Sequence, residues 1–449
     1  MSSSIPPSDL VDAIETLWRL RRAAPSNLYA APAFVQLREA CQRLYPNAGS
    51  RQALDLALSQ ALHAFGFPPR LDDARLAALP LPPKVAASRL DRAFRQSQCT
   101  RTHLCPLDLG DTIPALTFGP NQIRTFSAGE LDELVNPNQL ARSWPSLRFD
   151  SERFSQFSWL IVRETVELGG RPGARSLPSF FFDAREDFGR IEPHKRRFPA
   201  AVEEALFALL TVPWEDVTIY GHEWRAFCVP WCFTIDDDLF ARPQPPPDAA
   251  TLSWEPDFIH SCDGELVEIE RPTCLRLEED AASAASYLND KAWAELVEAH
   301  RSPLLAGPVT HFLVRAFLTD GIDEFLAHIT VVEAALGLSK DHSGKERHKR
   351  PNVNRCDNNP GATDRVGARI AALLDDQGAG DTYKALFKQR SLFLHGRGMA
   401  DIPSLSRFQA RRIARKTVCG LVGAAIATPA PANREVFLDE LLSKGWRLS

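Results

Sequence analysis

The sequence predicts a mostly α-helical protein in three parts: a mainly helical N-terminal region (1–150), an α+β region (151–300) and an all-helical C-terminal bundle (301–449). Three observations predict it. Apolar residues recur at helical spacing through the first hundred positions and again through the last 150. Aromatic and β-branched runs, broken by proline and turn residues, are confined to the middle. Hydrophobic residues make up 44% and charged residues 24%, enough apolar side chain over 449 residues to fill more than one globular core.

In the first region Ser8-Asp9 offers a cap to a segment with Leu10, Ile14, Leu17 and Leu20 on one face. Amphipathic stretches follow at Ala33–Tyr45 and Ser50–Phe65, the latter ended by Gly66-Phe-Pro-Pro, and Val85–Arg95 follows a proline-rich break at Leu79–Pro83. Prolines 106, 114, 120, 137 and 145 interrupt regular structure between 100 and 150.

In the middle region Trp214–Tyr220 and Trp224–Ile235 carry strand-forming residues. Leu239–Pro256 is a proline-rich connection, and Asp257–Ile259 with Glu265–Ile269 suggest a hairpin turning near Asp263-Gly264. Glu278–His300 reads as helix. Beyond it Val309–Leu318, Ile322–Leu338 (Phe325, Ile329, Val332 and Leu336 on one face), Asp364–Leu374, Thr382–Leu394, Ser404–Ala427 and Arg434–Leu442 are all expected to be helical, with a polar loop at Ser339–Gly361.

The net charge of −5 conceals an asymmetry. From Arg301 onward 22 basic residues face 15 acidic ones, a balance of +7, whereas the first 300 residues hold 30 against 42. A basic C-terminal part suits a polyanionic partner. Met1-Ser-Ser-Ser-Ile-Pro-Pro has neither the basic start nor the apolar core of a signal peptide, and the longest apolar candidate, Leu421–Ala427, is too short to span a membrane. The expected compartment is the cytoplasm, with no membrane partner. Nine cysteines, irregularly spaced, fit reduced and mostly buried thiols rather than a disulfide framework.

The residues with the clearest chemical content are Phe387-Lys-Gln-Arg390-Ser-Leu-Phe-Leu-His395-Gly396. RNA cleavage through the neighbouring 2′-OH needs a proton acceptor, a charge to stabilise the phosphorane and a proton donor for the leaving oxygen. Histidine, with an ordinary pKa of about 6.5, serves as acid or base near neutrality. Arginine stays charged and matches phosphate oxygens with a planar fork. Arg390 and His395 are therefore a sufficient minimal set, with no metal or cofactor. Five positions on a regular helix separate side chains by about 500°, or about 140° net. Convergence then requires either that the helix end near Gly396 or that two protomers pool their residues.

This motif, with Ile329-Thr-Val-Val-Glu333-Ala-Ala-Leu-Gly337 upstream, resembles the signature of HEPN domains of the Apea-like subgroup over roughly residues 301–449. The resemblance implies an all-helical bundle, a homodimer with both motifs lining one cleft, and metal-independent endoribonuclease activity in a bacterial defence (antiviral), stress or toxin system. Ser391 stands where the family often has Asn, Asp or His. Arg397 stands where a nucleotidylation-controlled subgroup has Tyr, which argues against that control and adds a cation. Glu333 is a candidate partner for Arg390, and Lys345, Arg347, Lys349 and Arg350 are candidate phosphate contacts.

Two alternatives stay open. One is a non-catalytic HEPN module that binds RNA or nucleotide, or only dimerises. The other is a metal-dependent nuclease resembling the PD-(D/E)xK core, with Asp257 and Glu268 as metal ligands, although Glu270 stands where that pattern has lysine. Two zinc groupings, Cys99/His103/Cys105 and His222/Cys228/Cys232, lack a familiar ligand pattern, and buried thiols are the expectation.

Overall fold

The computed structural model describes residues 5–20, 28–67, 81–110, 113–171, 174–177, 198–220, 225–260, 263–305, 308–341, 360–396 and 401–448. Sixteen α-helices lie among them and 54% of the described residues are helical, so the mostly α reading holds. No helix among the described residues is long and apolar enough to cross a membrane.

The N-terminal helices run Ser8–Trp18, Pro32–Leu44, Arg51–Ala64 and Pro83–Arg95 and bury one core of their own around Leu10, Ile14, Phe34, Leu37, Leu58 and Phe94. Ser50 caps the third, its hydroxyl accepting from Ala53 N at 3.2 Å. The first starts differently from expectation: Pro7 occupies the cap position and no side chain caps it.

A five-stranded antiparallel sheet occupies the centre, in the order Leu116–Phe118, Asn121–Thr125, Ser158–Glu167, Gln98–Pro106, Phe233–Asp236. Side chains alternate between its faces. Leu104, Trp159, Ile161 and Phe233 enter a cluster closed by the short helices Ala128–Val135, Pro137–Ser143 and Ser151–Phe154. Cys105, Leu160 and Val162 enter a larger cluster that continues through the helix Ala200–Leu209 into the C-terminal helices. The prolines between 100 and 150 punctuate these elements: Pro106 ends a strand, Pro120 sits in a tight turn, and Pro137 opens a helix at its first turn, where a missing N–H costs nothing.

The strand expectations for 214–235 need correction. Trp214–Asp216 is a turn of 3-10 helix with the Trp214 ring buried and its Nε1 donating to Leu209 O at 2.8 Å. Tertiary burial of that ring overrides its strand propensity. Among the described residues further on, Phe233–Asp236 is strand and Cys228 makes an isolated antiparallel bridge to Asp108; Pro230, with no N–H for a ladder, lies between the two. The hairpin is longer than expected, Trp254–His260 against Leu266–Pro272, with Gly264 in the turn at φ 80°. Glu278–His300 divides into Ala281–Ala285 and Asp290–Ala299, because Asn289 caps the second helix through Lys291 N and Ala292 N.

The last third is helical: Val309–Phe317, Gly321–Leu336, Ala362–Leu374, Gln377–Leu394, Ser404–Ala425 and Arg434–Leu448. Phe325, Ile329, Val332 and Leu336 are fully buried, as their spacing predicts. Ala362–Leu374 packs against both Gln377–Leu394 and Arg434–Leu448, and Gly321–Leu336 packs against Val309–Phe317 and Ser404–Ala425.

Candidate functional site

Gln377–Leu394 starts at Asp376, whose carboxylate accepts from Ala379 N at 3.2 Å. Tyr383, Phe387 and Arg390 lie at i, i+4 and i+7 and so share a face. Arg390 uses that face to reach the neighbouring helix: its Nη2 is 3.4 Å from Glu333 Oε2, and its guanidinium lies 5.3 Å from the Phe387 ring centroid. Both members of the ion pair are partly exposed, 25% and 30%. Tyr383 is buried, and its hydroxyl has no hydrogen-bond partner among the described residues. Burial, reinforced by the Glu333 charge, pushes that phenol up despite the opposing charge of Arg390. A cavity of about 230 Å³ opens beside these groups, lined among others by Glu333, Gly337, Asp341, Val366, Tyr383 and Phe387.

The helix stops where the sequence indicates. His395 is the C-cap residue, its N–H bonding to Ser391 O at 3.1 Å, and Gly396 takes φ 64°, the left-handed conformation glycine adopts freely. His395 is exposed and Ser391 partly buried. Regular helix persists through Leu394, so Arg390 and His395 keep their angular separation of about 140° within one chain. Arg397 and the cluster Lys345, Arg347, Lys349 and Arg350 lie outside the described residues.

Below the site a buried ionic node fixes the elements that carry Glu333. Arg369, fully buried, grips Asp341 through both Nη atoms at 2.5 and 3.0 Å and donates to Leu336 O at 2.9 Å and Leu438 O at 3.1 Å. Arg434 donates to the Ala334, Ala335 and Gly337 carbonyls at 2.9, 3.1 and 3.0 Å, satisfying the C-terminal end of Gly321–Leu336.

The hairpin carboxylates do not converge. Asp257 stands opposite Ile269 and Glu268 opposite Phe258, so strand alternation puts Asp257 and Glu268 on opposite faces of the ribbon. Asp257 lies 3.7 Å from Arg271 Nε, and Glu270 accepts from Arg153 at 2.8 Å. Such a pair of faces cannot close on one ion.

Among the described residues, neither sequence grouping of Cys and His comes together as such. Cys228 bonds to the Asp108 carboxylate at 3.8 Å, and His222 lies outside the described residues. Cys99 Sγ and the carboxylates of Asp236 and Asp237 lie within 4.8 Å of one another. Those carboxylates already accept from Arg101 Nε at 2.9 Å, Asp238 N at 2.9 Å and Thr100 N at 2.8 Å. What the fold brings together is a set taken from both groupings: His103 and Cys105 on one strand, Cys232 and Thr234 on and beside the next, with Glu164 across. The only sequence signal was alternation, His-x-Cys and Cys-x-Thr, which sends each pair to one face of a strand.

No protein-family model matches the chain, and no curated protein or solved structure gives a match.

Proposed function

We propose that the chain is a metal-independent endoribonuclease of the HEPN type, an enzyme of bacterial defence, stress or toxin systems that acts on RNA as a cytoplasmic homodimer. The observation that carries the reading is the end of the helix Gln377–Leu394: a glycine stop leaves His395 exposed one and a half turns beyond Arg390, which Glu333 holds at the surface. His395 takes the 2′-OH proton or supplies one to the leaving oxygen, and Arg390 stabilises the phosphorane, leaving a 2′,3′-cyclic phosphate. Because the two side chains diverge by about 140° within a chain, each cleft takes Arg390 from one protomer and His395 from its partner.

The competing reading is a non-catalytic HEPN module that binds RNA or nucleotide. It is favoured by the Arg390–Glu333 contact, which a purely structural arginine would also make. Labelled RNA incubated in EDTA with wild type, Arg390→Ala and His395→Ala separates the two. The enzyme gives cyclic-phosphate ends with wild type and none with either variant, and an equimolar mixture of the variants recovers about a quarter of the activity, since half the dimers form with one intact cross-protomer pair. RNA bound but uncut by wild type establishes the binding module. Cutting that survives both substitutions removes Arg390 and His395 from the reaction.

A further inference from the structure

The central sheet carries a cluster that the ribonuclease reading does not use. Strand Gln98–Pro106 pairs antiparallel with Phe233–Asp236, His103 opposite Thr234 and Leu104 opposite Phe233. One further step in that register, just past the last paired residues, would set Cys105 opposite Cys232, on the same face as His103 and Thr234; the register shifts by one residue before the next bridge, Asp108 to Cys228. His103 Nδ1 lies 2.8 Å from Thr234 Oγ1, and its Nε2 lies 3.2 Å from Glu164 Oε1 on the other neighbouring strand. The second contact is out of line for a hydrogen bond and acts through charge. Cys105 is completely buried, whereas Cys232 keeps partial exposure.

The electrostatics divide the two thiols. The neighbouring Cys105 thiol, with His103 and Thr234 beside it, outweighs burial and holds Cys232 below the ordinary thiol range. The same contact to Cys232, with burial added, drives Cys105 well above that range. Burial opposes a charge on His103, but contact with Cys232 and Glu164 outweighs it and raises the imidazole. The arrangement favours the thiolate at the partly exposed Cys232 and the protonated thiol at the buried Cys105 beside it.

We infer that Cys232 and Cys105 form a peroxide-responsive pair that closes to a reversible cross-strand disulfide, with His103 and Glu164 as the groups that position and charge it. Directly opposed residues of antiparallel strands have Cα atoms about 4.5–5.5 Å apart, within the span of about 4.4–6.8 Å that a disulfide bridges. In the first step the Cys232 thiolate attacks hydrogen peroxide: an S–O bond forms, the O–O bond breaks, and hydroxide leaves as water with the His103 proton. In the second the Cys105 sulfur attacks the Cys232 sulfenic acid: S–S forms, S–O breaks, and the hydroxyl leaves as water with the Cys105 proton, passed through His103. Two thiols and one peroxide thus give one disulfide and two waters.

The test uses the folded full chain. One equivalent of hydrogen peroxide at pH 7, followed by alkylation and peptide mass spectrometry, is expected to give a Cys105–Cys232 linked peptide that dithiothreitol releases. Cys105→Ser is expected to leave a dimedone-trappable sulfenic acid on Cys232, and Cys232→Ser no linked product. An ordinary thiol is only a few per cent thiolate at pH 7, so His103→Gln is expected to slow iodoacetamide alkylation of Cys232 about tenfold and to move its pH profile upward. Glu164→Gln, at a partly exposed carboxylate, gives a smaller shift in the same direction and covers the case in which the histidine variant misfolds. The inference is overturned if peroxide oxidises the exposed Cys274 first, or leaves Cys105 and Cys232 unlinked. A Cys232 alkylation profile that matches an ordinary thiol in wild type overturns it too.

Discussion

Replacing Arg369 with methionine removes a charge from the most enclosed ionic contact beneath the candidate site. The guanidinium is 0% exposed and makes four hydrogen bonds: two to Asp341 and one each to the Leu336 and Leu438 carbonyls. In Arg369→Met the Asp341 carboxylate stays buried, retaining Leu338 N at 2.9 Å and Arg365 Nη1 at 3.6 Å. Breaking a buried pair by removing one partner costs about 3–5 kcal/mol, and Arg365 moderates the loss towards the lower end, about 3 kcal/mol. The two bereaved carbonyls add about 1 kcal/mol each if water does not reach them. Replacing both partners, Arg369→Met with Asp341→Leu, removes the stranded charge and is expected to recover at least half of the loss. Urea unfolding followed by tryptophan fluorescence measures all three proteins. A single variant that loses less than about 1 kcal/mol, or a double variant no more stable than Arg369→Met, would refute the reasoning that a desolvated carboxylate sets the cost. The pair also fixes an acid limit. Although burial opposes it, the Arg369 bond and the neighbouring charges hold the Asp341 carboxyl below its ordinary value, so its contribution is complete above the ordinary carboxyl pKa and disappears as pH falls through the depressed one.

Two further outcomes follow from buried groups on the same helices. His328, on Gly321–Leu336, donates from Nδ1 to Glu324 O at 2.9 Å, and burial, with the Arg411 charge added, pushes its imidazole down to about 3. The unfolded chain takes up that proton near pH 6.5 and the folded chain does not, so stability present above pH 6.5 falls by about 2 kcal/mol between pH 7 and 5; His328→Gln should flatten that slope in urea melts, and an unchanged slope would exclude His328 as its source. At Gly380 a Cβ would meet Gly367 O at 2.5 Å, so Gly380→Ala should force apart the helices Ala362–Leu374 and Gln377–Leu394 and cost about 1–3 kcal/mol by thermal denaturation, whereas Gly423→Ala, where a Cβ meets nothing, should cost nothing measurable or stabilise.

The helices were legible because each carries its own signal. Phe325, Ile329, Val332 and Leu336 repeat at helical spacing, and Ser50 and Gly396 mark ends by chemistry that needs no distant partner. The sheet was not. Ser158–Glu167 is buried on both faces along Trp159–Val162, so it lacks the alternation that marks a half-buried strand. Gln98–Pro106 mixes Cys, Thr, Arg and His and becomes a strand through its two neighbours. Trp214 shows the converse: strand-forming composition yields to the burial of one ring. The candidate site follows the same division. Arg390 and His395 are close in sequence and can be read together. The Arg369–Asp341 node and the meeting of Cys105 with Cys232 depend on tertiary pairing that no local pattern announces.

The strength of the Arg390–Glu333 contact decides how it bears on phosphate binding. At 3.4 Å with both side chains partly exposed, the pair is a surface ion pair, worth about 0–1 kcal/mol. A phosphate offers Arg390 a bidentate, doubly hydrogen-bonded alternative, which exceeds a contact of that size. In the ribonuclease reading Glu333 therefore orients the guanidinium without withholding it, and screens the cation until a phosphate takes its place. Removing it would free Arg390 and loosen its aim at once. For a phosphate-binding arginine those effects fall on different quantities, since affinity follows the freed charge and turnover follows the aim. A structural arginine would show neither, because Glu333→Gln would then alter only the packing of Gly321–Leu336 against Gln377–Leu394. That difference makes the carboxylate, rather than the arginine itself, the position at which the two readings of the site diverge most cleanly.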